Sequence, residues 1–589
     1  RLCLDAKGTA DLKRRIAGSP ILGRAMTYLE AGAEVIRAAA PVVRKKVGRR
    51  LLGVSRTCLK RVVHLAFVYR LTGDRRCLER AEAEMLAAAA FEDWNPSHFL
   101  DVGEMTAALA IGYDWLHDDL GADARRTIRA AIVDKGLRTS LAGGWWVDTT
   151  NNWNQVCHGG LGLGALAVLE DEPDLAEQIL ARAVAKLPLA MREYEPDGAY
   201  PEGPGYWVYG TTYNVLLIDA LRSALGTDFD LAQAKGFLPC ADYFLHVTGP
   251  TGLFFNYSDC GARHGVSPAM FWFAARRDEP SLLFHERAAL AQFLDTARPS
   301  AGDGDRLLPF LLIWAPAFDA PAEPRMRCWH ADGRTPVAML RSGWQEAATF
   351  FAIKGGSPGS NHAHMDIGAF VMDADGVRWA HDLGAQSYES LESRGIDLWG
   401  RGQSSERWTV FRLNNLSHNT LVVDGGPQRV KGSGAITRFS PVGPMPHAIV
   451  DLSHAHAGQL QRASRGIGLR PNRSVIVEDE IEALGEPAET AVRWGMVTMA
   501  TVARLDGAEA VLEQDGRRLM LQVLSPADVT LETYETERPP AAHDAANPGT
   551  RMIGFTVRLP AAARRRLTVL LTPGSAEIDR PVVVPLADW

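Results

Sequence analysis

Cysteine is scarce in this chain of 589 residues: Cys3, Cys58, Cys77, Cys157, Cys240, Cys260 and Cys328 are scattered, with no CxxC pair. An odd, sparse set excludes a disulfide framework and a cysteine-based zinc site, and predicts mostly buried free thiols. Excess positive charge is missing too. The net charge is −7 and the isoelectric point near 6.2, so the overall balance calls for neither nucleic acid nor an anionic membrane as partner. A polyanionic ligand would need a local basic cleft. Long apolar runs are also lacking; the most apolar stretches are broken by Arg, Asp or Gly, and no membrane span is predicted. The chain opens on Arg1-Leu2-Cys3-Leu4-Asp5, without an initiator Met or the basic and apolar regions of a leader. The expectation is a leader already removed, or a trimmed start.

What is present is an ordinary globular composition, 46% hydrophobic and 23% charged. The length exceeds what one core serves, so two or three domains are expected. Up to about residue 310 apolar residues recur at three-to-four spacing, in Arg61–Leu71, Arg75–Ala90, Glu104–His117, Asp123–Lys135, Gly159–Leu169 and Leu175–Ala190. Short polar, Gly or Pro breaks separate them, a pattern of helical hairpins that predicts an α/α toroid over residues 1–314. Residues 315–330 begin Pro/Ala-rich and read as a linker. Beyond it the period changes to two. Val337–Arg341, Thr349–Lys354, Ala369–Met372, Thr420–Val423, Arg473–Glu478, Leu519–Val523, Val529–Tyr534 and Leu567–Leu571 read as strands. The predicted fold is therefore multidomain α+β. An N-terminal (α/α) toroid precedes a C-terminal antiparallel β-sandwich over residues 331–589, with or without a small C-terminal β-subdomain.

Three constellations carry chemistry. The first is Asn151-Asn152-Trp153-Asn154-Gln155, placed just before a helix. Such a loop can simply cap the helix, but its amides can also offset charge on a ligand carboxylate. The second, Glu195 to Gly210, reads as a rigid Pro/Gly loop holding Asp197, Glu202, Tyr206, Trp207 and Tyr209. Its aromatic faces suit sugar rings, and a tuned Tyr hydroxyl can act as acid or base. The third is Asn361-His362-Ala363-His364, followed by His381-Asp382 and by His418. Any one His is more often structural, yet three such segments in succession fit a metal or catalytic site.

In this order, with the change from helix to strand between the second and third, the motifs resemble those of the heparinase II/III-like polysaccharide lyases. That group is itself similar to alginate lyases of the toroid-plus-sandwich type. The resemblance implies a periplasmic or secreted enzyme that cleaves uronic-acid polysaccharides by β-elimination, with glycosaminoglycan favoured and alginate or oligoalginate the alternative. It implies Asn152 as the neutraliser of the uronate carboxylate, with Gln155 as helper. It also implies Tyr206 as the catalytic Tyr, with Tyr209 the fallback, and His362 as a second base. By the same resemblance His364, Asp382 and His418 would hold one divalent ion, zinc, that braces the site; His381 is the weaker ligand.

Glu202, Trp207, Tyr209, Arg263, His264 and Arg401 are expected at the substrate, since Arg suits carboxylate or sulfate. Arg407 and Arg412 are further cationic candidates, and Trp145, Trp146, Trp153 and Trp399 could stack on sugars. In the elimination the proton at C5 leaves to a base, the negative charge is offset by Asn152, and Tyr206 protonates the oxygen leaving C4. Three rivals stand beside this reading. A zinc hydrolase would put His-x-His early in a β/α barrel. A glycoside hydrolase would need facing carboxylates such as Asp197 and Glu202. A non-catalytic carbohydrate binder would not need Asn152, Tyr206 and His362 together.

Overall fold

The computed structural model describes residues 2–316, 322–574, 581–582 and 584–589; within the predicted linker, residues 317–321 fall outside them. The chain divides into two compact units. One comprises residues 1–193, 206–241 and 265–322; the other comprises 194–205, 242–264 and 323–589.

The first unit is helical. Its helices include α1 (Ala6–Gly18), α2 (Pro20–Ala38), α3 (Leu52–Thr72), α4 (Arg75–Ala89), α5 (Leu100–Leu116), α6 (Ala122–Ala131), α7 (Asn152–Ala167), α8 (Pro173–Met191) and α9 (Gly203–Leu225). Burial sorts them into two kinds. In α5 and α7 nearly every residue is buried, as in helices packed on all sides. By contrast α4 and α8 bury one stripe, Cys77, Leu78, Ala81, Met85 and Ala88 in the first case, and show solvent the rest.

The inner helices run parallel. Arg56 of α3 meets Glu104 of α5, and further along Val62 meets Gly112. Gly103 meets Cys157 of α7 and Thr106 meets Gly164; Gln155 meets Gly210 of α9 and Gly162 meets Leu217. Contacts that rise together along both partners require parallel axes, and α4, α6 and α8 make the return between them. Small residues set the spacing. A Cβ on Gly160 would stand 2.1 Å from the Gly103 carbonyl oxygen, so any side chain there forces the helices apart.

Two helices begin earlier than their periodicity indicates. The Asn cluster is the first turn of α7, because Asn151 caps it by accepting the Trp153 N–H at 3.1 Å. Likewise Tyr206, Trp207 and Tyr209 lie in the first turns of α9, not in a loop. Helix α6 runs on through a wider π-helical turn, Ile132–Arg138, past the predicted end at Lys135.

The second unit is built on antiparallel sheets. Among the described residues a five-stranded meander comprises β1 (Trp329–Ala331), β2 (Val337–Arg341), β3 (Phe350–Lys354), β4 (Phe370–Ala374) and β5 (Val377–Ala380). An eight-stranded sheet has Leu460–Leu469, Val475–Ala483 and Arg564–Pro573 at its centre, and a four-stranded sheet is built around Glu489–Thr498 paired with Arg551–Pro560. One apolar core draws on all three sheets, with Phe370, Trp494 and Phe555 ring against ring. The predicted strand at 529–534 is shorter and shifted, Glu532–Glu535, on the edge of its sheet.

Two short stretches from within the helical half of the sequence join this unit. Tyr257 donates its hydroxyl to the Tyr200 carbonyl at 2.7 Å, the Asp332 N–H reaches Asp197 at 2.9 Å, and the Asp259 N–H reaches the His362 carbonyl at 3.0 Å. A buried pair, Arg465 on Asp479 (2.7 and 2.9 Å), also donates from Arg465 to the carbonyls of Gly368 and Asn419. It thereby ties the sheet to the loops that carry chemistry.

Candidate functional site

In the helical unit the N-terminal ends of the parallel inner helices bring together Arg56, Glu104, Asn152, Gln155, Tyr206 and Tyr209. Their dipoles point the same way, with positive ends toward this side. Asn151 and Asn154 do structural work: the first caps α7, and the second donates to the carbonyls of Val147 and Lys186. The side-chain oxygens of Asn152 and Asn154 are both buried without a hydrogen-bond partner in the structure, and leaving a buried amide oxygen unmatched costs about 1–3 kcal/mol; Asn154 is held through its amide N–H groups.

The two tyrosines are now distinguishable. Glu104 is fully buried and takes the Arg56 Nε–H at 2.9 Å and the Tyr213 hydroxyl at 2.6 Å. Burial favours its acid form, but Arg306 and Arg56 outweigh that and hold it below the usual carboxylate range. The Arg56 guanidinium lies over the Tyr209 ring at 4.7 Å. Burial, and then the Glu104 charge, push the Tyr209 phenol well above its ordinary value, so it is held as a neutral structural phenol. Tyr206 and Tyr209 are both half-buried overall, and what sets Tyr209 apart is the Arg56–Glu104 pair around it. Trp207 corrects an expectation: it is fully buried against Phe273 and offers no face to a sugar. Trp146 is buried in the same way on Phe99, whereas Trp145 is 61% exposed.

In the β unit a single carboxylate organises the site. Asp259 Oδ2 lies 3.0 Å from His362 Nδ1 and 2.8 Å from the Tyr388 hydroxyl, while Oδ1 lies 2.9 Å from His364 Nε2. Arg407 donates to both oxygens at 3.2 Å and to the Ala363 carbonyl. Burial would raise Asp259, but Arg407 and the two histidines hold it well below the carboxylate range. Burial lowers His362, and the opposing pull of Asp259 does not restore it. The imidazole is thus neutral, with its Nδ1 proton directed at Asp259 and Nε2 left as the basic nitrogen. Glu202, also buried, comes within 3.7 Å of that nitrogen. His362 has φ +56, a left-handed conformation that costs a non-glycine residue about 1 kcal/mol or more and clusters at functional sites. Tyr388 stacks beside the ring and Trp399 meets it edge-on.

Asp259, Tyr388 and Arg407 as partners of His362 were beyond sequence reasoning. Asp259 lies 103 residues before His362, in a Tyr-Ser-Asp-Cys-Gly stretch without a motif, while Tyr388 follows His362 by 26 residues and Arg407 comes later still. Arg263 and Arg401 are exposed, Arg401 on the Asn361 side chain at 3.1 Å. His264 hydrogen-bonds Thr248 at 3.0 Å. Arg412 is spent on Asn547 and on the carbonyls of Ala385 and Ala546.

His364, Asp382 and His418 stand together. Asp382 Oδ2 is 2.7 Å from His418 Nδ1, and the His364 and His418 rings are 5.3 Å apart. Asn419 fixes both flanks by donating to the carbonyls of Phe370 and His381. Among the described residues no group of three His, Cys, Asp or Glu is already arranged as an ion cage. The donor types nevertheless fit a borderline ion: His364 Nδ1 and His418 Nε2 are buried with no hydrogen-bond partner, and Asp259 steadies the far nitrogen of His364 as outer carboxylates do for ligating imidazoles. His381 contributes its carbonyl to Asn419.

Parallel inner helices followed by antiparallel sheets with a His/Asp-rich loop cluster define an (α/α) toroid plus β-sandwich protein. Residues 331–571 match the heparinase II/III-like C-terminal domain family. Among solved structures it is similar to a heparinase III, at 13% identity over 88% of this chain and 77% of that one, with a TM-score of 0.64. It is also similar to the heparan sulfate lyase HepC from Pedobacter heparinus, at 13% identity over 98% and 92%, with a TM-score of 0.62. No curated protein matches by sequence. Among the described residues no helix is long and apolar enough to cross a membrane.

Proposed function

We propose that the protein is a polysaccharide lyase that cleaves uronic-acid-containing polysaccharide, glycosaminoglycan favoured, by β-elimination. The observation that carries the reading is His362: a neutral, buried imidazole, oriented by Asp259, inside the domain that matches the heparinase II/III-like family. Its Nε2 is the base for the C5 proton. Asn152 offsets the charge that builds on the carboxylate, with Gln155 in support. Tyr206 supplies the proton to the departing C4 oxygen, since Tyr209 is locked in the Glu104–Arg56 network. His364, Asp382 and His418 would hold a divalent ion, zinc by donor type, whose positive charge braces the loops around His362. A periplasmic or secreted location follows from a polymeric substrate of this kind.

The hydrolase alternative would rest on Asp197, which accepts the Asp332 N–H at 2.9 Å through one oxygen while the other is buried without a hydrogen-bond partner, and it is separated from the lyase reading by the product. The test is incubation with heparan sulfate, hyaluronan, chondroitin sulfate and alginate, read as ultraviolet absorbance of C4–C5 unsaturated uronate. A rise with a glycosaminoglycan is expected, and a rise with alginate alone would move the substrate to the alternative. New reducing ends without absorbance would sink the lyase reading.

A further inference from the structure

Apart from the short turn Glu406–Thr409, the stretch from Asp397 to Trp408 contains no helix or strand, yet side chains tie it down along its length. Asp397 accepts the Trp399 N–H at 3.0 Å and Glu406 accepts the Asp397 N–H at 2.8 Å. Trp408 donates its indole N–H to the Gly402 carbonyl at 2.9 Å. Gln403 donates to the Gln428 carbonyl at 2.9 Å and accepts the Val430 N–H at 2.8 Å. Two large side chains of this anchored stretch nevertheless face solvent: Trp399 is 40% exposed and Arg401 is exposed as well. An indole left in water on a fixed backbone is an apolar face that the core does not use.

Both side chains stand beside the candidate base. The Trp399 ring lies 5.7 Å from the His362 ring and 5.2 Å from the Tyr388 ring, edge-on to each, and its Nε1–H donates to Glu392 at 3.1 Å. The plane of the indole is thereby fixed. Arg401 donates to the side-chain oxygen of Asn361 at 3.1 Å, and Asn361 immediately precedes His362. The amide nitrogen of Asn361 is buried with no hydrogen-bond partner, a donor whose oxygen end Arg401 holds in place. The nearby carboxylates have other work. Asp397 and Glu406 take backbone N–H groups, Glu392 takes the indole, Asp259 takes Arg407, His362 and Tyr388, and Glu202 faces His362 Nε2 at 3.7 Å. Among the described residues Arg401 has the neutral Asn361 oxygen as its hydrogen-bond partner and no carboxylate within ion-pair distance.

We propose that Trp399, Arg401 and Asn361 form the subsite for the sugar next to the reacting uronate, and that this subsite selects a sugar bearing an anionic group. The indole covers the flat C–H face of the pyranose ring, the guanidinium meets two anionic oxygens as a fork, and the Asn361 amide N–H adds a further donor. A neutral neighbouring sugar gains the stacking and leaves Arg401 to water. The anionic group is a sulfate on the amino sugar of a glycosaminoglycan or the carboxylate of a second uronate in alginate, since both present the oxygens that Arg401 recognises. The proposal rests on the uronate-lyase reading for the identity of the polymer and adds to it a requirement on the neighbouring residue.

The test uses the full chain carrying Tyr206→Phe as parent, so that the probes are not consumed. Fluorescently labelled oligosaccharides of equal length are titrated by anisotropy: unsulfated heparosan, N-sulfated heparosan and alginate. The parent should bind N-sulfated heparosan about tenfold more tightly than unsulfated heparosan, and Arg401→Ala should erase that preference while leaving the unsulfated probe within about twofold. Trp399→Ala should weaken both heparosan probes about fivefold and keep the ratio between them. Thermal midpoints equal to the parent's show that these exposed substitutions leave the fold intact. Tightest binding of alginate, lost in Arg401→Ala, keeps the subsite and assigns the anionic group to a second uronate. Equal affinity of the parent for all three probes, or a preference that survives Arg401→Ala, overturns the subsite even if the unsubstituted chain releases unsaturated uronate. An Arg401-dependent preference in a protein that shows no elimination keeps the subsite and removes the lyase reading. A parent that binds none of the probes overturns the subsite as well.

Discussion

The two chemistry-bearing regions are built in opposite ways. In the helical unit the residues come one per helix, from the first turns of parallel inner helices, so regular geometry delivers Glu104, Asn152 and Tyr206 to one end. In the β unit they come from irregular loops around the strands. Asp259, His362, Tyr388 and Arg407 converge on one carboxylate that no regular element orients. Helix ends offer neutral donors and dipoles at little cost in strain. The loop cluster instead spends a left-handed residue and four polar contacts to fix one imidazole. The lesson is that groups which bind charge can be placed by the element alone, whereas a group whose tautomer matters needs a dedicated partner.

The sharpest way to break this comparison is at the tyrosines. Tyr206→Phe should lower kcat about a thousandfold with an unchanged thermal midpoint, while Tyr209→Phe should chiefly lower stability. Substantial retained turnover in Tyr206→Phe would remove that residue from the chemistry. Next in size, Asp259→Asn should lower kcat about a hundredfold with little change in KM, because an amide invites the other His362 tautomer. Histidine ¹⁵N shifts should report that exchange; equal changes in kcat and KM with a lowered midpoint would make Asp259 merely structural. Asn152→Ala should cost ten- to a hundredfold in kcat, and Asn152→Asp more, since a fixed negative charge opposes the substrate carboxylate.

Two smaller effects sharpen the β side. A chelator should lower the thermal midpoint by several degrees, and His364→Ala should abolish that response; a midpoint indifferent to chelator in the parent argues against the ion. Far from the site, Glu478 is buried beside Thr568 at 3.1 Å, with Arg566 at 3.7 Å, and burial pushes it up to about 7. The folded state keeps a proton that the unfolded chain releases above the ordinary carboxylate range. Its contribution is therefore full at low pH and is lost as pH rises toward 7. Glu478→Gln should flatten that part of the stability curve in denaturant titrations; an unchanged slope would assign the dependence elsewhere.

Much of the helical side was legible because inner helices carry long apolar runs punctuated by Gly73 and Asp74, which cap and restart the chain. The starts of α7 and α9 were not, since Asn-, Gly- and Pro-rich first turns look like loops until a cap is seen to close them. Trp207 was misread for a related reason. Its neighbours Tyr206 and Tyr209 lie a turn apart on α9, and only the helix shows that Trp207 points inward. On the β side His362, His364, Asp382 and His418 were visible as His/Asp motifs, but Asp259 was not, because a carboxylate's role depends on what folds against it.

By itself the sequence determined the order of a helical half and a stranded half, the absence of a disulfide framework, and the polar residue types available for chemistry. Periodicity and composition act locally and need no knowledge of distant residues. The tertiary structure alone decided which tyrosine is locked by Glu104 and Arg56, which tryptophan reaches solvent, and which carboxylate orients His362. Each of these is set by burial and by contacts across the chain, where desolvation and a neighbouring charge fix protonation in ways that spacing along a sequence does not encode.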